Sequence, residues 1–133
     1  MRPCMFEFDA ALVGDIIKQI LVAIDRIDRR MEGVVSAGQF VASDAGIDKL
    51  DAICMMLVAI GESCKQLDRI TNGILFESQQ DVDWKGVKGI RDVISHHYFD
   101  VNEEIVFLIC RNNLAGVRKA FESMLEGDLK PDA

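Results

Sequence analysis

Apolar residues recur at three- and four-residue steps along almost the whole chain, the spacing of an amphipathic helix, and no sustained strand-like alternation interrupts them. Leu12, Ile16, Ile20, Ala23 and Ile27 form one such stripe and predict a first helix from about Asp9 to Met31. Arg29 and Arg30 in its last turn complement the helix dipole, and Gly33 is a natural terminator. After a connection from Gly33 to Gly46, a second stripe of Ile47, Leu50, Ile53, Cys54, Leu57, Ile60, Gly61, Cys64 and Leu67 predicts a helix from about Ala45 to Ile70. Ser43 or Asp44 serves as its cap. Met55, Met56 and Val58 widen the apolar face beyond what a one-sided surface helix needs, so this helix is expected to be central.

Asn72-Gly73 and Gln79-Gln80 mark a loop from Thr71 to Asp83, with Asp83 as the cap of a third helix from Trp84 to about Tyr98. A fourth, from about Asn102 to Leu125, carries Ile105, Leu108, Ile109, Leu114, Val117, Phe121 and Leu125. The prolines lie only near the termini. The expected fold is all-α: an antiparallel bundle of four to five helices in one domain spanning 1–133, with flexible tails at 1–8 and 126–133.

Composition narrows the class. At 133 residues the chain is long enough for one buried core and too short for two ordinary domains. No uncharged stretch approaches the roughly 20 residues that span a bilayer, and acidic residues interrupt the N-terminal segment where a signal peptide needs an apolar run. A soluble, cytoplasmic protein is expected, without a membrane partner. Cys4, Cys54, Cys64 and Cys110 are far apart and form no Cys-x-x-Cys pair, which reads as buried free thiols. The two histidines are adjacent, and neighbouring side chains on a helix diverge by about 100°, so neither a structural metal nor a cofactor is expected. A net charge of -7 argues against a protein that coats nucleic acid; no DNA partner is expected, and any RNA contact must be local or depend on a partner protein.

The chemistry concentrates in Arg91-Asp92-Val93-Ile94-Ser95-His96-His97-Tyr98, which gathers a cation, both histidines and the single tyrosine. An arginine's planar fork of donors stabilises charge developing on phosphate oxygens, and a histidine moves protons near neutral pH; together they suffice for RNA cleavage without a metal. On an ideal helix Arg91 and Tyr98 differ by about 20° and share a face with Ser95, whereas His96 lies about 140° from Arg91. Either the helix is distorted near His96 or two copies of the chain assemble the site across a symmetric interface, and the second is the reading adopted. Lys85, Lys88 and Arg91 recur every three residues as a positive stripe for RNA phosphates, against the alternative of a solvated helix face.

Arg, four residues, His, one residue, Tyr resembles the signature of the HEPN superfamily, in particular its HepT-like toxin branch. Leu57-Val58-Ala59-Ile60-Gly61-Glu62 is similar to that branch's Ala-Ile-Gly-Glu segment, and Trp84 with Gly89-Ile90 resembles its approach to the arginine. The resemblance covers about Gly46 to Ile109. It implies an HEPN-like bundle acting as a homodimeric, metal-independent toxin endoribonuclease, with Arg91 and His96 catalytic and Asp92, Ser95 and Glu62 supporting. It also implies a minimal nucleotidyltransferase antitoxin that neutralises the toxin by adding AMP to Tyr98. Two departures stand out: Asp92 occupies a position that is usually Asn, which adds negative charge where phosphate must sit, and His97 one that is often Asp. The alternative is a non-catalytic helical module that binds a nucleotidyltransferase or its nucleotide; a plain dimerisation bundle would make the octet a coincidence.

Overall fold

The computed structural model describes residues 8–95 and 100–127. Helix α1 spans Ala10–Met31 and is capped by Asp9, whose Oδ1 accepts the Leu12 N–H at 3.1 Å. It ends where Gly33 enters the left-handed region at φ 80°, the conformation that makes glycine the natural stop. A 3-10 turn at Ala37–Phe40 follows, and α2, Asp44–Ile70, starts on Ser43, whose Oγ accepts the Gly46 N–H at 3.0 Å. After a second 3-10 turn at Leu75–Ser78 come α3, Trp84–Lys88, and α4, Ile90–Ile94. The remainder is α5, Glu103–Leu108, a π-turn at Ile109–Asn113, and α6, Leu114–Glu126. The protein is an all-α helical bundle, and helix caps chosen from sequence at Asp83 and near Ser43 act as expected.

The hairpin of α1 and α2 supplies most of the core. Val13, Ile17, Ile20, Ile24 and Ile27 of α1 meet Ile53, Leu57, Ile60, Cys64 and Leu67 of α2, all of them buried. α2 is central, since it packs against α1, α3, α4 and both 3-10 turns. At the far end Phe76, Trp84 and Phe121 interlock, with Trp84 4.4 Å from Phe76 and 5.2 Å from Phe121 between ring centroids. Arg118 of α6 ties the bundle to α1 by reaching Asp25 at 2.7 Å and Asp28 at 2.6 Å.

Four apolar positions expected inside are exposed: Leu12, Ile47, Met55 and Leu108. Leu12 and Ile47 sit in the first turns of their helices, and Met55 lies on the outer side of α2 although Met56 and Val58 are half-buried. Two helix assignments are also corrected. The fourth helix is not continuous α-helix, because Val106, Cys110 and Leu114 take two successive four-residue steps that outrun a 3.6-residue turn, and the wider π-turn absorbs the excess. The segment from Trp84 to Tyr98 is not one helix either: it breaks at Gly89, and α4 ends at Ile94. Of the tails expected at 1–8 and 126–133, residues 1–7 and 128–133, Cys4 among them, lie outside the described residues, while Phe8 packs against the core and Glu126 is the last residue of α6.

Candidate active site at the broken helix

α3 and α4 are five residues each, too short to persist alone, so anchors on both sides hold them. Asp83 Oδ1 accepts the Gly86 N–H at 3.0 Å and starts α3. The buried Trp84 donates its indole N–H to the Gln79 carbonyl at 2.7 Å, which fixes the entry to α3. Ile90 and Ile94, four apart, turn α4 inward and leave Arg91 and Asp92 exposed.

The decisive contact comes from α2. A Cβ on Gly61 would stand 2.7 Å from the Val87 carbonyl oxygen and 2.9 Å from Ile90 Cγ2, so only glycine lets the α3–α4 junction press against α2 here. Glu62, the next residue, is thereby brought within electrostatic reach of Arg91. Its carboxyl is held below its ordinary value first by the hydrogen bond from Lys65, then by the charge of Lys65, and further by Arg91 and Arg69. Lys65 Nζ is 2.9 Å from Glu62 Oε2, in a pair that remains largely solvated.

Beyond α4 the backbone changes character. Ser95 is extended at φ -154° and ψ 135° and forms an isolated antiparallel bridge with Val101, and beside it the Asn102 N–H donates to the Ile94 carbonyl at 2.8 Å. Ser95 still donates its N–H to the Arg91 carbonyl at 3.2 Å, one turn along, but the regular helix ends at Ile94, so the ideal-helix geometry behind the 140° offset does not extend to position 96. That removes the geometric reason given above for a site composed of two copies. His96, His97 and Tyr98 themselves lie outside the described residues.

The remaining candidates separate. Lys85 is exposed on α3, whereas Lys88 is half-buried and bound to Asp68 at 3.0 Å. The stripe read as Lys85, Lys88 and Arg91 is interrupted at Gly89 and engaged at its middle member. Asp92 is exposed beside Arg91. Lys65 and Arg69 were missed by the sequence reading: they lie three and seven residues after Glu62 on α2, and nothing local connects them with Arg91 until α2 folds against α4.

A family model described as "Ribonuclease HepT-like" matches residues 20–124, a span that holds α2, the broken helix and the whole Arg91–Tyr98 segment. The chain belongs to the HepT-like family. A Methanocaldococcus jannaschii protein named provisionally as an RNase is 32% identical over 75 residues, 56% of this chain and 59% of the relative. The chain thus matches rather less than two thirds of that relative's length. No solved structure matches significantly. Among the described residues of this HepT-like chain, no helix is long and apolar enough to cross a membrane.

Proposed function

We propose that this HepT-like protein is a toxin endoribonuclease that cleaves RNA without a metal ion, using Arg91 and His96. The supporting observation is that the matched span includes the Arg91–Tyr98 segment while Arg91 stands exposed on α4, within electrostatic reach of the exposed Glu62. In the reaction the ribose 2′-oxygen attacks phosphorus and the bond from phosphorus to the 5′-oxygen breaks. His96 takes the 2′-hydroxyl proton or delivers one to the departing 5′-oxygen, and Arg91 stabilises the charge on the phosphoryl oxygens. The products are a 2′,3′-cyclic phosphate and a 5′-hydroxyl end. Asp92 and Ser95 orient the arginine and the histidine, and Glu62 lies at the edge of the cleft.

The acting unit is a homodimer, and the control element is a nucleotidyltransferase antitoxin. It transfers AMP from ATP to the Tyr98 oxygen, with loss of the phenolic proton and release of pyrophosphate. The added phosphates place negative charge where the RNA backbone must approach. One observation favours the non-catalytic alternative: Asp92 and Glu62 both put carboxylates beside Arg91, and a phosphate must compete with them.

The test is cleavage of total RNA by purified wild-type, His96→Ala and Arg91→Ala proteins, with analysis of the ends, in the presence and absence of EDTA. Cyclic phosphate ends that vanish in both variants and persist in EDTA support the reading. Absence of cleavage by the wild type transfers the protein to the binding-module class. Light scattering checks the dimer. Intact mass after incubation with the partner enzyme, ATP and Mg²⁺ checks the AMP addition, which Tyr98→Phe should abolish.

A further inference from the structure

Building on the ribonuclease reading, we propose that bound RNA passes from Arg91 across α2, with neighbouring phosphates held by Lys65 and Arg69, and does not run along α3 past Lys85 and Lys88.

Glu62, Lys65 and Arg69 are spaced three and four residues apart, so they lie along one face of α2, with Lys65 and Arg69 offset by about 6 Å along the helix axis. That face sits beside Arg91 because Gly61, immediately before Glu62, takes the carbonyl of Val87 and the side chain of Ile90 at a distance no other residue allows. Three cations on two helices thus act on a single carboxylate, Lys65 by direct contact and Arg91 and Arg69 by their charge. Lys65 is 45% exposed and its present partner, Glu62, is 54% exposed, so the pair opens to solvent readily. Glu62 occupies the ground a phosphate needs, and an arriving backbone takes its place as the counter-charge of Lys65.

The opposite direction is poorly provided. Lys88 Nζ is 3.0 Å from Asp68 with only 27% of the side chain exposed, so a phosphate there must separate a partly buried pair. The break at Gly89 ends α3, and Lys85 no longer continues the line of Arg91. Contacts confined to phosphates carry no sequence information, so the ligand of the track is an RNA backbone of any sequence. In a chain of net charge -7, affinity rests on a few local cations and depends strongly on salt.

The experiment measures binding of a non-cleavable 2′-O-methyl oligoribonucleotide by fluorescence anisotropy over a range of salt concentrations. It compares the wild type with Lys65→Ala, Arg69→Ala, Lys85→Ala and Glu62→Gln, with thermal melts to confirm folding. Lys65→Ala and Arg69→Ala are each expected to weaken binding severalfold and to reduce the steepness of log affinity against log salt by about 0.7, one phosphate contact on a single strand. Lys85→Ala should keep the wild-type slope, and Glu62→Gln should tighten binding by removing the competing anion. Wild-type binding in Lys65→Ala and Arg69→Ala, a slope loss in Lys85→Ala instead, or no binding by the wild type at low salt overturns the track. Cleavage of unmodified RNA is followed in parallel: binding through Lys65 and Arg69 without wild-type cleavage upholds the track and removes the ribonuclease reading. Cleavage and binding indifferent to both substitutions do the reverse.

Discussion

The α1–α2 hairpin and the α3–α4 segment are built on opposite plans. The hairpin has helices of 22 and 27 residues, each with a continuous buried stripe. The α3–α4 segment has two helices of five residues around a glycine, yet it carries the arginine on which the proposed chemistry depends. Long regular helices bury enough apolar surface to stabilise the whole chain, while the short ones depend on what surrounds them. Global stability and site geometry are therefore controlled from different residues, and mutations should separate them.

The largest effect is expected from Leu57→Ala in the middle of α2, where a fully buried side chain is removed from the shared core. The cost should be about 2–5 kcal/mol, read as a lower urea midpoint with an unchanged slope. A loss under 1 kcal/mol would show that the hairpin is not the main source of stability.

Gly61→Ala sharpens the comparison. The added methyl meets backbone and a buried isoleucine below 3 Å, so α3–α4 must move away from α2, at about 1–3 kcal/mol. Amide exchange should accelerate over residues 84–94 far more than in α1, and RNA cleavage should fall further than stability does. Gly116→Ala is the control, since a Cβ there meets no atom within 4 Å; it should be neutral or raise stability by up to about 1 kcal/mol through helix propensity. Equal behaviour of the two glycine variants would refute the close-approach argument.

Asp83→Ala removes the cap of α3 and should cost about 1 kcal/mol, with the exchange increase again confined to the broken helix; Asp83→Asn should restore most of it. If exchange rises uniformly along the chain, α3 is not the separate unit described above.

The smallest effects are electrostatic. Burial pushes the thiols of Cys54 to about 11 and of Cys64 and Cys110 to about 12, from an ordinary value of 9.0. Below about pH 9 both folded and unfolded chains hold these protons. As pH rises from 9 toward 12 the unfolded chain ionises first, so the thiols' contribution to stability is lost across that window. In a Cys4→Ser background at pH 10, thiolate absorbance should appear on unfolding and not in the native baseline. A native thiolate signal at that pH would show that these thiols are not shielded. Arg118→Ala, which loses solvated contacts to Asp25 and Asp28, should cost under about 1 kcal/mol and less at high salt.

Much of the bundle was legible in the chain. Stripe spacing located α1 and α2 to within a residue, and the caps expected at Asp83 and at Ser43 or Asp44 are found at Asp83 and Ser43; Asp9 and Asn102, expected only as helix starts, also accept a cap hydrogen bond. The family was legible too, because the resemblance rests on short local patterns, the Arg91–Tyr98 segment and the Gly61-Glu62 pair. What periodicity overstated was continuity: it ran one helix from Trp84 through Tyr98, since Ile90 and Ile94 keep helical spacing and Gly89 alone is a weak breaker. The tertiary structure ends that helix at Ile94, where pairing of Ser95 with Val101 offers the backbone partners that a further helical turn would have supplied. It also exposed Leu12, Ile47 and Leu108, whose apolarity says nothing about whether a neighbour arrives to cover them. Proximity between elements was settled last. Lys65, Arg69 and Glu62 are ordinary surface charges on α2 until the missing side chain of Gly61 lets α4 approach, and only then does Arg91 join them.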